Sequence, residues 1–132
     1  MQTRSTNHHG PWLLALCVST VLIASCGSIG DTGSIKKAGE LAIECRTDEA
    51  LAALDNAETS GGFSKYMAGL ERVGILRDAG RSDEAAKALR AYKSHPEVAS
   101  SSDEEIEESL TNFVDELRKK RKQRTGSSTC PG

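Results

Sequence analysis

Residues 70–89 read LERVGILRDAGRSDEAAKAL, and residues 35–54 read IKKAGELAIECRTDEALAAL. The two stretches lie at an offset of 35 residues, the distance from Asp48 to Asp83, and several of their positions are identical. The identical pairs are Gly39/Gly74, Leu41/Leu76, Arg46/Arg81, Asp48/Asp83, Glu49/Glu84, Ala50/Ala85, Ala53/Ala88 and Leu54/Leu89. A fixed offset of about 20–50 residues is typical of a repeated supersecondary unit. The sequence therefore predicts one structural motif that occurs twice.

Each copy of the motif predicts a pair of helices joined by a short turn. In the second copy, apolar residues recur at helical spacing from Leu70 to Leu76, and Gly80 then interrupts the pattern. Glycine suits the residue after a helix because it enters the left-handed region without a Cβ penalty. Ser82 can then cap the next helix. The first copy has Cys45 where the second has Gly80.

This hairpin pattern resembles the tetratricopeptide repeat over about residues 33–97. The resemblance rests on Val73-Gly74, on Gly80, on the run from Asp83 to Ala85 and on Leu89, with Pro96 near the closing proline of the family. It implies a concave face, formed by the first helix of each unit, that grips a peptide or a helix. The positions that match this face are Ile35, Gly39, Ala42, Met67, Leu70, Gly74 and Arg77.

The resemblance thus makes Met67, Leu70 and Arg77 the candidate partner-binding residues, with Arg77 as the charged contact. The alternative is that these residues belong to the core of a short array and are covered by the last helix. That last helix, over about residues 103–122, is amphipathic and lacks the repeat motif, so we expect it to cap the array. Ser102 and Glu105 fit a capping box at its start.

The fold expected for the chain is all-α, with two helix-turn-helix repeats and a C-terminal capping helix. The first four helices are expected at about residues 35–44, 48–58, 63–79 and 83–94. The composition, 37% hydrophobic and only 4% aromatic, allows one small domain with an aliphatic core. Because two repeats are fewer than the roughly three that make a stable array, a disulfide, the capping helix or a homo-oligomer must compensate.

The N-terminal segment predicts export. Residues 12–24, WLLALCVSTVLIA, form an apolar run of 13 residues, which is shorter than the roughly 20 residues of a membrane span. It ends in LIASC, residues 22–26, which resembles the bacterial lipobox. The resemblance implies cleavage of residues 1–25 and lipidation of Cys26. The alternatives are an ordinary cleaved signal and a short anchor that contains a cysteine.

The residue after Cys26 is Gly27 rather than Asp. In the lipoprotein family this implies the periplasmic face of the outer membrane, with the outer leaflet of the inner membrane as the alternative. Residues 26–34 then form the lipidated cysteine and a Gly/Ser-rich tether, residues 35–122 the helical domain, and residues 123–132 a polar tail expected to be disordered up to Cys130.

Cys45 and Cys130 are the two cysteines left in the exported domain, and an oxidising compartment favours their pairing. Such a disulfide would tie the tail to the first turn, and closing a loop of this length stabilises a fold by about 4 kcal/mol in the chain-entropy model. The alternative is two free or intermolecular thiols.

The sequence offers little for catalysis or for a metal. His95 is the one histidine of the exported part, and its spacing from Cys45 and Cys130 is not that of a metal site. No nucleophile motif surrounds it, so we expect neither an enzyme nor a cofactor. The net charge of −2 gives no footprint for nucleic acid. The basic run 118–124 suits a solvated helix end, or alternatively a contact with anionic lipid or an acidic partner.

These observations predict a lipid-anchored envelope protein that binds or scaffolds a partner protein. Two narrower alternatives remain: a pilotin-like chaperone for a secretion or pilus subunit, and an accessory, exclusion-type lipoprotein of a mobile element.

Overall fold

A computed structural model of the protein describes residues 32–131. They form five α-helices and no strand, which confirms the predicted all-α class. The helices are α1 (Thr32–Ile43), α2 (Thr47–Thr59), α3 (Gly62–Asp78), α4 (Ser82–Lys93) and α5 (Asp103–Thr125). The predicted signal, Cys26 and residues 26–31 of the tether lie outside the described residues. Within residues 32–131, none of the helices combines the length and the apolar character needed to cross a bilayer.

The central element is α3, which packs against each of the other four helices. One side of it contributes Ala68 and Ile75 to a core shared with α1, α2 and Leu117 of α5. Another side contributes Leu70 and Val73 to a second core, shared with α4 and the first half of α5. Because α3 separates two small cores, the domain buries its aliphatic residues without a large aromatic centre.

The α1–α2 turn and the α3–α4 turn have the same geometry. Each contains one left-handed residue, Cys45 with φ 62° and Gly80 with φ 72°. In both turns the N–H of this residue donates to the carbonyl three residues earlier at 3.1 Å, and the next N–H donates to the carbonyl five residues earlier at 2.9 Å. This double hydrogen bond closes a helix on a left-handed residue.

One helix start differs from the sequence prediction and another agrees with it. Ser82 is not the cap of α4: the N-cap is Arg81, which makes no side-chain cap hydrogen bond, and Ser82 is the first helical residue. The cap of α5 is as predicted, because Ser102 Oγ accepts from the Glu105 N–H at 3.2 Å and Glu105 Oε2 accepts from the Ser102 N–H at 2.7 Å.

The helical region is also longer than predicted at both ends. The first helix begins at Thr32, inside the predicted tether, and α5 continues to Thr125, where Gly126 ends it with φ 83°. The expected disorder of the tail is not what the described residues show. Residues 126–131 are held against the domain, because Ser128 accepts a hydrogen bond from a buried arginine and Cys130 meets Cys45.

Candidate binding surfaces

The predicted partner-binding residues lie on α3 but in three different surroundings. Met67 is half-buried near the start of the helix. Leu70 is only 9% exposed and packs in the second core with Ile106 and Leu110 of α5. Arg77, near the end of the helix, donates from both Nη atoms to Glu107 of α5 at 2.6 and 2.9 Å. Partner binding through these residues stays a prediction, and Leu70 occupies the core position that the alternative interpretation gave it.

The close approach of α5 to this face depends on Gly74. A Cβ atom added there would lie 2.3 Å from Cδ1 of Phe113, far inside van der Waals contact. The glycine therefore forms a shallow cradle into which the phenyl ring of α5 fits. The hydrogen bonds from Arg77 hold the pKa of Glu107 below its ordinary value, which keeps this carboxylate charged and able to pair with Arg77. Along this part of α3, the last helix occupies the face that the repeat resemblance assigned to a partner.

The start of α3 presents a different surface. Phe63 is 73% exposed and is the one large hydrophobic side chain of residues 32–131 that is exposed. Tyr66 and Met67 follow at the spacing of a common helix face, so we call Phe63, Tyr66 and Met67 the α3 patch. The Phe63 and Tyr66 ring centroids are 5.9 Å apart, and those of Tyr66 and Tyr92 are 5.4 Å apart. The three rings form a row that runs from solvent into the second core.

A cleft of about 150 Å³ opens beside the α3 patch, lined by Tyr92 and Ala88 of α4 and by Tyr66 of α3; we call it the Tyr92 cleft. Burial and a hydrogen bond with Tyr66 raise the pKa of Tyr92, which keeps its phenol protonated. Lys65 and Arg72 lie on the rim. The sequence prediction missed this site, although Phe63 and Tyr66 are two of the few aromatic residues in the chain.

The two cations on the rim of the Tyr92 cleft differ. Arg72 is neutralised by ion pairs with Glu58 at 2.7 Å and with Asp55 at 2.5 Å, both from α2. Lys65 is exposed and has no ion pair with the described residues. The cleft therefore combines an apolar floor with one positive charge at its edge that makes no ion pair with the described residues, although Glu97 interacts with it at longer range.

A second cleft, of about 290 Å³, lies between α1, α3 and α5. Its apolar walls come from both outer helices: Ile35, Ile43, Phe113 and Leu117. From α3 it receives one polar residue, Glu71, and we call it the Glu71 cleft. Charged residues of α1 and α5 form its rim: Lys36, Glu40, Glu116 and Lys120. A concave site with apolar walls and a small number of polar groups is typical of a ligand site.

Glu71 has an unusual environment for a carboxylate. Its Oε2 atom is fully buried, and no described residue makes a hydrogen bond to it. Burial disfavours the charged form and raises the pKa of Glu71 to about 7, although Lys120 acts in the opposite direction. A carboxyl group with this pKa exchanges its proton near neutral pH, so the cleft changes its charge in that range.

Cys45 and Cys130 meet as the sequence predicts, with their sulfur atoms 2.08 Å apart, at disulfide distance, and their Cα atoms 5.5 Å apart. Beside this pair lies Arg121 of α5, which is only 1% exposed. Its guanidinium donates to three backbone carbonyls, those of Ala42 at 2.9 Å, Ile43 at 3.3 Å and Ser128 at 2.9 Å. It therefore satisfies the open end of α1 and holds the tail at the same time.

The same arginine also pairs with Asp78 at the end of α3, at 2.5 Å, and Arg118 adds a second contact to that carboxylate at 2.8 Å. The basic run of α5 is thus largely engaged within the fold, since Arg124 pairs with Glu40 and Lys120 approaches Glu116. The sequence prediction treated this run as a solvated helix end. It missed Arg121 because nothing in the local pattern separates this arginine from its exposed neighbours.

His95 lies away from the two cysteines and contacts Glu97 through Nδ1. Across residues 32–131, no group of three or more His, Cys, Asp or Glu side chains is arranged to hold a metal ion.

Comparison with known proteins returns no match: no protein-family model, no characterised protein and no solved structure is significantly similar to the chain.

Proposed function

We propose that this protein is a lipid-anchored protein of the bacterial cell envelope, held at the periplasmic face of the outer membrane, whose helical domain binds a partner protein through the α3 patch. The single observation that carries the binding function is Phe63, a large aromatic side chain 73% exposed at the edge of a row of rings. Aromatic side chains with an apolar cleft beside them are frequent centres of protein interfaces.

The Tyr92 cleft indicates the chemistry of the partner. Its volume of about 150 Å³ is below the roughly 300–1,000 Å³ typical of small-molecule sites but suits one apolar side chain. The unpaired charge of Lys65 at the rim favours an acidic group next to that side chain. The partner surface that fits is therefore an apolar anchor residue with a neighbouring Asp or Glu. Met67, a residue predicted from the repeat resemblance, belongs to the same patch.

We further propose that the α1–α2 and α3–α4 hairpins are two tetratricopeptide-like repeats and that α5 is their cap. The identical hydrogen bonds of the two turns support this arrangement. So does the position of α5, which covers the α3 face at Gly74 with Phe113.

Site-specific photocrosslinking in living cells tests the partner site. A photoreactive benzoyl-phenylalanine in place of Phe63 is expected to give one discrete adduct, and the same residue in place of the exposed Asn112 of α5 is expected to give none. The adduct at position 63 should weaken when Lys65 is changed to Glu, because the reversed charge repels an acidic partner.

The other possible outcomes of the crosslinking test the identity of the partner and the existence of the partner site. An adduct with twice the mass of the chain would replace the partner by a second copy of this protein. No adduct at position 63, or equal adducts at positions 63 and 112, would overturn the partner site.

The lipid anchor has a separate test. Labelled palmitate is expected to appear in the wild-type chain and to be absent from Cys26→Ser, which should also leave the membrane fraction. A labelled Cys26→Ser chain would contradict lipidation at this cysteine, whatever the crosslinking shows.

A further inference from the structure

We propose that the Glu71 cleft is a binding site for an organic cation, a primary ammonium group carried on a short apolar stem, with the ammonium against Glu71. This site lies between α1, α3 and α5, whereas the α3 patch lies beside α4. The inference is therefore independent of the proposed partner.

The buried carboxylate of Glu71 has one oxygen atom without a hydrogen-bond donor within residues 32–131. A buried carboxylate oxygen without a donor costs free energy, and proteins pair such groups in the great majority of cases. No described residue donates to Oε2 of Glu71, and the cleft opens directly beside this residue. The carboxylate of Glu71 lines the cleft, and an ammonium group offers three donors and the complementary charge, so it compensates this carboxylate better than water does.

The walls of the Glu71 cleft leave room for an apolar stem. Gly39 of α1 corresponds to Gly74 of α3 at the repeat offset of 35 residues. At Gly74 the cradle is filled by Phe113, whereas a Cβ atom at Gly39 would meet no atom within 4 Å. Gly39 lines the Glu71 cleft, and the space beside it stays open, unlike the space at Gly74. Ile35 and Phe113 beside it provide apolar contact for an alkyl stem.

The charged residues that face Glu71 from α1 and α5 are largely paired with one another. Glu40 of α1 is paired with Arg124 at 2.6 Å. Glu116 of α5 lies 3.5 Å from Lys119 and 3.7 Å from Lys120. Lys36 and Lys120 line the rim, but neither makes an ion pair with Glu71. The acids of the rim are therefore largely compensated, and the buried acid is not.

The affinity of the cleft for an ammonium group should increase with pH. The ammonium group binds the ionised form of Glu71, and the pKa of this residue is raised to about 7. Binding must therefore displace a proton below neutral pH. The affinity should rise about tenfold between pH 6 and pH 8, because the competent fraction of the protein rises by that factor.

The test uses the full mature chain, purified in a neutral detergent, with n-pentylamine as the probe. We expect saturable shifts of amide signals from residues of α1 and α5 in two-dimensional NMR spectra. The neutral analogue n-pentanol should bind at least tenfold more weakly. A parallel titration with N-acetyl-lysine amide distinguishes a free amine from a lysine side chain as the ligand. The alkyl stem of this compound carries peptide groups that must fit at the mouth of the cleft, whereas the stem of n-pentylamine carries none.

Three variants sharpen this test. Glu71→Gln should weaken n-pentylamine at least tenfold and abolish the pH dependence. Gly39→Leu should weaken both probes by filling the open cradle, and it should not harm folding because leucine favours a helix more than glycine does. Glu108→Gln, an exposed acid of α5 outside the cleft, is the matched control and should bind like the wild type.

Equal binding of amine and alcohol, or a Glu71→Gln chain that binds n-pentylamine like the wild type, would overturn the proposal. Spectral shifts confined to residues that do not line the Glu71 cleft would overturn it as well. None of these results bears on the adduct at position 63, so the partner proposal stands or falls separately.

Discussion

The α1–α2 hairpin and the α3–α4 hairpin close with the same hydrogen bonds but stabilise their turns differently. Gly80 adopts the left-handed conformation at no steric cost, whereas Cys45 adopts it with a Cβ atom, which costs about 1 kcal/mol or more. In return, Cys45 lies at disulfide distance from Cys130, a residue 85 positions away. Two turns can therefore share one backbone geometry although one of them carries a strained residue. In the first hairpin this local strain is offset by a long-range crosslink.

The two hairpins also differ at their glycine cradles. Phe113 fills the cradle at Gly74 and fixes α5 on α3, but the corresponding space at Gly39 stays open. Arg121 joins the two hairpins at their other end, since it donates to the last carbonyls of α1 and to the Asp78 carboxylate at the end of α3. The second hairpin is therefore held by packing against α5, and the first hairpin is held by the crosslink to Cys130.

The largest expected effect comes from removing the crosslink. Cys130→Ser should lower the free energy of unfolding by about 4 kcal/mol, because the disulfide closes a long loop in the unfolded chain. Urea unfolding under non-reducing conditions measures the difference, and a reductant should affect the wild type but not the variant. Equal unfolding of the two proteins without reductant would show that the cysteines are not joined.

The next effect tests the link between the hairpins. Arg121→Met keeps the aliphatic stem but leaves Asp78 and two carbonyls of α1 without this donor. We expect a loss of about 3 kcal/mol, typical of a buried ion pair that loses one partner. Arg124→Met is the matched control, because its pair with Glu40 is exposed and should matter little. Comparable losses for both variants in thermal unfolding would show that burial does not distinguish the two arginines.

A smaller effect on the free energy of unfolding depends on pH and comes from Glu71 of the second hairpin. The corresponding residue of the first hairpin is Lys36. The pKa of Glu71 is about 7 in the folded protein, above the ordinary 4.5, so the folded state holds this proton more tightly than the unfolded chain does. Its contribution to stability is full below pH 4.5 and is lost as the pH rises to about 7.

Glu71→Gln should therefore match the wild type near pH 4.5 and exceed it by about 2 kcal/mol at pH 8, a value reduced for the partial exposure of the side chain. Denaturant unfolding at the two pH values measures both differences. A difference that does not change with pH would contradict the raised pKa.

The smallest effect addresses the two turn residues directly. In the Cys130→Ser background, Cys45→Gly should stabilise the fold by about 1 kcal/mol, because it removes the Cβ atom at a positive φ. Gly80→Ala should destabilise it by a similar amount, since a Cβ atom there meets no neighbour within 4 Å and only the backbone strain counts. The same sign for both substitutions would mean that the two turns are not equivalent in energy.

The sequence was sufficient for features that follow a local rule. The apolar period predicted the helices to within a few residues, the spacing of Ser102 and Glu105 predicted the cap of α5, and the cysteine count predicted the Cys45–Cys130 pair.

The sequence was insufficient where a residue acquires its role from a distant helix. Arg121 looks like its exposed neighbours until the ends of α1 and α3 surround it. Glu71 is an ordinary helix glutamate until α1 and α5 bury it. Leu70 and Arg77 were predicted as partner contacts, yet both contact α5, and no local pattern gives the path of α5.

The pairing of Cys130 with Cys45 also has a practical consequence for experiments in cells. The crosslink holds Cys130 at the end of α1, one helix of 12 residues, or about 18 Å, from Thr32, the first residue of that helix. With the lipid anchor that we propose at Cys26, a fluorescent reporter fused after Gly132 would therefore stay close to the proposed anchored end of the domain. Reduction would free it to move away, so energy transfer between that reporter and a dye in the bilayer would report the redox state of the surrounding compartment.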